Sequence, residues 1–217
     1  MARFFDLSSK QLQGVFKTNF RNEDVYLYVI KTIRFSESGK FLQSGSAPNF
    51  QRCEVTLCTC KYFMRSFRIA ERWRNTWVAG FSGSQHGGKN SIVYLMRIDS
   101  AYADFNALWQ DLPEQSKCAK DASINPLGDV YRPVKTCADP HSHQYYKKPV
   151  EGHSHMKEAN PDAWIFDIEV RYRKGFPPLL HGAASNTFSW SVPQLELPFQ
   201  LHRGQKKMKM SELVQIL

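Results

Sequence analysis

Three groups of residues in this chain have types and spacings that support chemistry. Cys58 and Cys60 lie two apart, followed at once by Lys61 and then Arg65. Neighbouring cations favour the thiolate, which is the nucleophilic form of cysteine. Cys58 reads better as a small buried apolar residue, while Cys60 stays open between that role and a nucleophile. The second group is a pair of alternating histidines, His141-Ser142-His143 and His153-Ser154-His155. On an extended segment such histidines point the same way, and neutral imidazole suits a divalent metal such as Zn, Fe, Ni or Cu. Asp129, Asp139 or Asp162 would add a carboxylate. Exposed loop histidines with no ligand role are the other reading. The third group is the Gly-rich stretch from Gly80 to Gly88. Backbone amides of such loops cradle phosphates, but no GxxxxGK[ST] pattern is present, and a hairpin turn explains the glycines as well.

Aromatic residues interleave with cations next to these groups. Tyr62, Phe63 and Phe67 alternate with Lys61, Arg65 and Arg68, and Trp73 and Trp77 flank Arg74. Rings offer stacking faces to bases and the cations meet phosphates, although an amphipathic segment that buries its rings gives the same pattern. The net charge is +9 and concentrates in two places. One is Lys61–Asn75, and the other is the stretch after Gln200, with Arg203, Lys206, Lys207 and Lys209. Polyanions are the natural partners of such a chain.

At 217 residues with 42% apolar content and 13% aromatics, the chain can bury a core, which excludes disorder throughout. No apolar run has the roughly 18 residues that a membrane span needs, and residues 1–8 lack a signal peptide's pattern. The expectation is a soluble cytoplasmic protein with no membrane partner. Five cysteines, with no CxxC pair, argue against a disulfide scaffold or a zinc ribbon.

The elements that must position these residues follow from periodicity. A helix is expected over Ser8–Phe16, capped by Asp6 or Ser8. Strands are expected over Val25–Ile30, Glu54–Cys60, Trp77–Phe81, Ser91–Ile98 and Trp164–Tyr172. Lys61–Trp73 reads as a basic helix or an irregular segment, and Ala101–Trp109 as a helix ended by Pro113. Residues 114–162 are polar and without period. Strands outnumber helices and their connections are too short for repeated crossovers. The fold class is therefore α+β: a single domain on an antiparallel or barrel-like sheet with a few flanking helices. Residues 1–24 read as an N-terminal extension, 25–199 as the domain, and 200–217 as a basic tail.

Several motifs occur in a fixed order: Tyr26–Thr32, Ala47-Pro48-Asn49, Thr56–Lys61 with Met64-Arg65, Trp77–Gly80, Val93–Met96, Phe105 with Trp109, and Gly128–Tyr131. In this order the chain resembles the nucleotide modification associated domain, type 2, of bacteria and phages, over roughly residues 25–131. It departs from that family at Asn75-Thr76 and at Tyr62. The resemblance implies a cytoplasmic α+β domain that serves DNA base modification or phage–host conflict. It makes Asn49, Cys60, Lys61, Arg65, Trp77, Tyr94, Asp129 and Tyr131 candidates for a shared pocket. Cys60 and Asp129 would then be nucleophile and base, the others would hold a nucleotide, and a divalent metal at His141, His143, His153 and His155 is the candidate cofactor. Whether such a protein is an enzyme, a reader of a modified base or free nucleotide, or an accessory subunit of a defence complex is left open by the residues alone.

Overall fold

The computed structural model describes residues 5–17, 19–45, 48–50, 52, 54–83, 89–134, 136–156, 158–172, 175–201 and 204–217. In chain order the elements are α1 (Ser9–Val15), β1 (Asp24–Ile30), β2 (Ile33–Phe35), β3 (Phe41–Gln43), β4 (Val55–Leu57), α2 (Tyr62–Arg65), β5 (Trp77–Ser82), β6 (Ile92–Arg97) and β7 (Ser100–Tyr102). Then follow α3 (Phe105–Asp111), α4 (Glu114–Lys120), α5 (Ile165–Glu169), β8 (Leu179–Gly182), β9 (Thr187–Ser189), β10 (Gln205–Lys209) and α6 (Met210–Ile216), with short 3-10 turns between. The class is α+β. Its sheets are mixed or antiparallel and open, with no closed barrel among the described residues. No helix among these residues is long and apolar enough to cross a membrane.

The chain gathers into two compact units, each assembled from separated segments. Among the described residues, one unit comprises Ser44–Arg74 and Asp99–Gly182; the other comprises residues 5–43, Asn75–Ile98 and Ala183–Leu217.

The second unit holds a five-stranded sheet in the order β10-β1-β5-β6-β9. β1 runs parallel to β5 and antiparallel to β10. β5 is buried along its whole length, and a run that is apolar but for its last residue, Ser82, suits a strand covered on both faces. The β5–β6 connection is the hairpin that the Gly-rich stretch suggested, although residues 84–88 lie outside the described residues. Gly80 has a packing reason: a Cβ there would meet Tyr94 Cε1 at 2.2 Å. The missing side chain lets the Tyr94 ring lie over the strand, and its hydroxyl meets that of Tyr28 at 2.9 Å. α1 is capped as its sequence predicts, since the Ser8 hydroxyl and Gln11 side chain form a capping box. The segment expected as a basic tail instead supplies β10 and α6. Lys207 and Lys209 pair with Asp24, and Met210, Leu213 and Val214 enter the core.

The first unit carries the three-stranded antiparallel sheet β4-β8-β7 and a core that includes Phe105, Leu108, Tyr131, Trp164 and Ile168. Two expectations are corrected here. Ala101–Trp109 is not one helix: Ser100–Tyr102 pairs with β8, and α3 begins only after Asp104, whose carboxylate caps the Ala107 amide at 2.8 Å. Trp164–Tyr172 is not a strand but contains α5. Trp164 and Ile168, one helical turn apart, are both buried, whereas the alternation would have hidden Phe166, which is 54% exposed.

Candidate functional site

The site lies in the first unit, where β4 ends and the chain turns into α2. The regular strand stops at Leu57, and Cys58-Thr59-Cys60 continues it as an irregular turn. Lys61 then takes a left-handed backbone, with φ 57, and reverses the chain into α2. A non-glycine residue in that region is uncommon and needs surrounding support. Arg65 provides it. Its guanidinium is buried, donates through Nε to the Cys60 carbonyl at 2.8 Å, and through Nη1 to the carbonyls of Pro177 and Pro178 at 3.0 and 2.7 Å. Trp73 Nε1 donates back to the Arg65 carbonyl at 2.8 Å. Arg65 is thus a structural clamp on the Cys60 turn, not a phosphate ligand open to solvent.

Cys60 remains partly accessible, and its sulfur lies near enough to His155 to act on the charge of the ring. The His155 ring bonds Asp167, whose Oδ2 contacts Nδ1. Burial by itself opposes a charged imidazole, but the Asp167 carboxylate and the Cys60 sulfur outweigh it and push the His155 pKa up to about 10. Asp167 Oδ2 also accepts from the buried Tyr131 hydroxyl at 2.7 Å. Burial and the Asp167 charge hold that phenol well above its ordinary pKa, so it stays a neutral donor.

His153 positions this ring. It is buried, and burial lowers its pKa, so it is neutral. Its Nε2 lies 2.9 Å from the Gly128 carbonyl, which can only accept, so Nε2 carries the proton. Nδ1 is then the acceptor for the His155 amide at 3.3 Å. Gly128 is fixed in turn, because a Cβ there would stand 2.7 Å from the Ala122 amide nitrogen.

Asp129 sits apart from these partners of Cys60. It is fully buried, accepts from Thr56 Oγ1 at 2.7 Å, and lies against Cys58. Burial raises its pKa to about 6 against the opposing pull of Lys120 and Thr56. Burial and Asp129 together raise the Cys58 thiol well above its ordinary value, which makes Cys58 an inert core residue. Lys120, also buried, donates to the carbonyls of Asn49 and Glu54 at 3.0 and 3.2 Å. Asn49 is buried and bridges to Thr56 through its backbone, with its side-chain amide on the Leu127 carbonyl at 3.2 Å. These residues brace the site from within.

The structure therefore brings Cys60, Lys61, Arg65, Tyr131, His153 and His155 into one neighbourhood. Trp77 belongs to the core of the second unit, where its Nε1 donates to Glu23 at 2.7 Å, and Tyr94 is buried within the same unit. The four histidines do not assemble as a metal set: His141 stacks on Phe176, His143 pairs with Glu169 at 2.6 Å, and no group of three potential ligands converges among the described residues. Asp167 escaped the sequence reading, although a carboxylate inside the apolar run Trp164–Ile168 signals a buried, partnered charge. Comparison with known proteins gives this arrangement no precedent: no family model, no curated protein and no solved structure matches the chain.

Proposed function

We propose that the chain is a thiol-dependent enzyme with Cys60 as nucleophile, His155 as acid and base, and Asp167 as the residue that orients and charges the imidazole. One observation carries this reading: the His155 ring bonds the Asp167 carboxylate beside the partly accessible Cys60, whose sulfur also favours the charged imidazole. A nucleophile, a base and an orienting third group in mutual contact are the requirement for covalent catalysis. The sulfur of a thiolate–imidazolium pair attacks an electrophilic carbon, and the bond to the leaving group breaks as His155 hands it a proton. Neutral His155 then takes a proton from water as it attacks, the carbon–sulfur bond breaks, and the ion pair returns. The substrate is a nucleotide or nucleobase derivative connected with DNA base modification or phage–host conflict, as the family resemblance and the basic charge imply.

The two non-catalytic alternatives have less support. A base-reading cage built on Trp73 and Trp77 lacks accessible rings, since both indoles are buried in the cores of their own units. An accessory role through the apolar C-terminal residues loses Leu213 and Val214 to the second unit's core. The test is alkylation by iodoacetamide at pH 6 with peptide mapping. Cys60 should react faster than Cys118 although Cys118 is the more exposed of the two, because His155 beside the Cys60 sulfur assists its attack. His155→Ala should erase the difference. Equal rates at Cys60 and Cys118 in the wild type would sink the proposal.

A further inference from the structure

The rings that follow Cys60 form a continuous exposed surface. Tyr62 begins α2 two residues after the thiol, and its ring meets Phe166, the neighbour of Asp167, at 5.5 Å and Tyr172 at 6.2 Å. Phe63 meets Tyr172 at 4.9 Å and Phe67 at 5.0 Å. All four of these contacts are edge-to-face. Tyr62, Phe63 and Phe166 are 38%, 41% and 54% exposed, where a folded chain would ordinarily hide such rings. Phe67 and Tyr172 open onto a surface cleft of about 960 Å³ that is also lined by Arg68, Arg72 and Phe176. Arg171 lies over Phe176 at 4.8 Å. Arg72 and Arg171 are exposed, and the acids near them in sequence are Glu71 and Glu169. Planar hydrophobic faces alternating with guanidinium groups match a ligand that alternates planar bases with phosphates, and stacking of this kind tolerates any base sequence.

We infer that this ring-and-arginine surface is a docking platform for a single-stranded nucleic acid, which runs along α2 towards Cys60. The inference rests on the proposed thiol chemistry for its purpose, but the surface binds with or without a working nucleophile. A single strand is favoured over a duplex because its unstacked bases are free to lie on the rings, while a duplex presents phosphates only.

The test is fluorescence anisotropy of the full chain with labelled twelve-residue oligothymidine, at two salt concentrations, with thermal melts to confirm folding. Phe166→Ala and the double variant Arg68→Ala/Arg72→Ala should each weaken binding by about tenfold or more, and the double variant should also flatten the salt dependence. Cys60→Ser should bind as the wild type does, so loss of thiol reactivity and loss of binding are separate results. Three outcomes would overturn the inference: no binding at low salt; equal binding of a polyglutamate peptide of matched charge, which marks mere attraction of polyanions; or binding abolished by Lys206→Ala/Lys207→Ala but untouched by the Arg68 and Arg72 changes.

Discussion

The His155–Asp167 contact predicts a pH-dependent stability that one substitution should remove. Moving the imidazole from 6.5 to about 10 corresponds to about 5 kcal/mol of preference for the charged ring in the folded state, at about 1.4 kcal/mol per pH unit. The folded value lies above the unfolded one, so this stability is fully present below pH 6.5 and is lost as pH rises through about 10. At pH 7, where an unfolded-state histidine is already mostly neutral, about 4 kcal/mol remains. His155 keeps 24% of its side chain in solvent, so these values are ceilings. Asp167→Asn preserves shape and can still accept from Tyr131, but it removes the charge. Urea denaturation of both proteins at pH 6, 7, 8 and 9 isolates the effect, because titrations elsewhere cancel in the difference. The wild type should be more stable by up to about 4 kcal/mol at pH 7, with the gap closing by about 1.4 kcal/mol per unit above that. The His155 ring proton should titrate near 10 in the wild type and at clearly lower pH in the variant. A stability gap that stays constant from pH 6 to pH 9 would refute the ion pair and with it the assigned role of Asp167.

Asp129 should show a similar raised-pKa linkage at lower pH. Its folded pKa of about 6 exceeds the unfolded 3.8, so the chain should lose roughly 3 kcal/mol between pH 3 and pH 7, a slope that Asp129→Asn removes in the same denaturation series. Gly128→Ala should cost about 2–3 kcal/mol in a urea melt, because its Cβ meets Ala122 backbone at 2.7 and 2.8 Å and backbone cannot yield as a side-chain tip can. Arg65→Lys should fold poorly and slow Cys60 alkylation, since an ammonium cannot span the three carbonyls that the planar guanidinium reaches; circular dichroism and thiol labelling read both effects.

Strands with a strong local signature were legible. β1, β5 and β6 each announce themselves through β-branched and aromatic runs, and α1 through its capping candidates Asp6 and Ser8, of which Ser8 is the cap. The irregular half was less so. In Trp164–Tyr172 an alternating pattern and a one-turn helix bury different residues, and only the core around Tyr131 decides between them. Cys60 stood out because its neighbours in sequence are cations. The residues that face it, His155 and Asp167, come from an irregular segment and from the short helix α5, neither of which the local sequence announces. The His153-Ser154-His155 pair was visible but pointed to a metal. Its two rings have opposite roles, one neutral and buried as a brace, the other charged at the thiol, and that difference arises from tertiary surroundings alone.

The interleaving of the two units has a consequence for how the protein is made. No contiguous stretch of chain carries either unit whole. β1 is an apolar strand whose residue Asp24 finds its partner only at Lys209. At typical synthesis rates of about 5–20 residues per second, that edge waits roughly ten to forty seconds on the ribosome. For that interval Val25, Leu27 and their neighbours are a nearly complete hydrophobic strand with one side unpaired, the kind of segment that chaperones recognise and that aggregates when they are absent. The thiol centre waits as well, since Cys60 emerges long before Asp167.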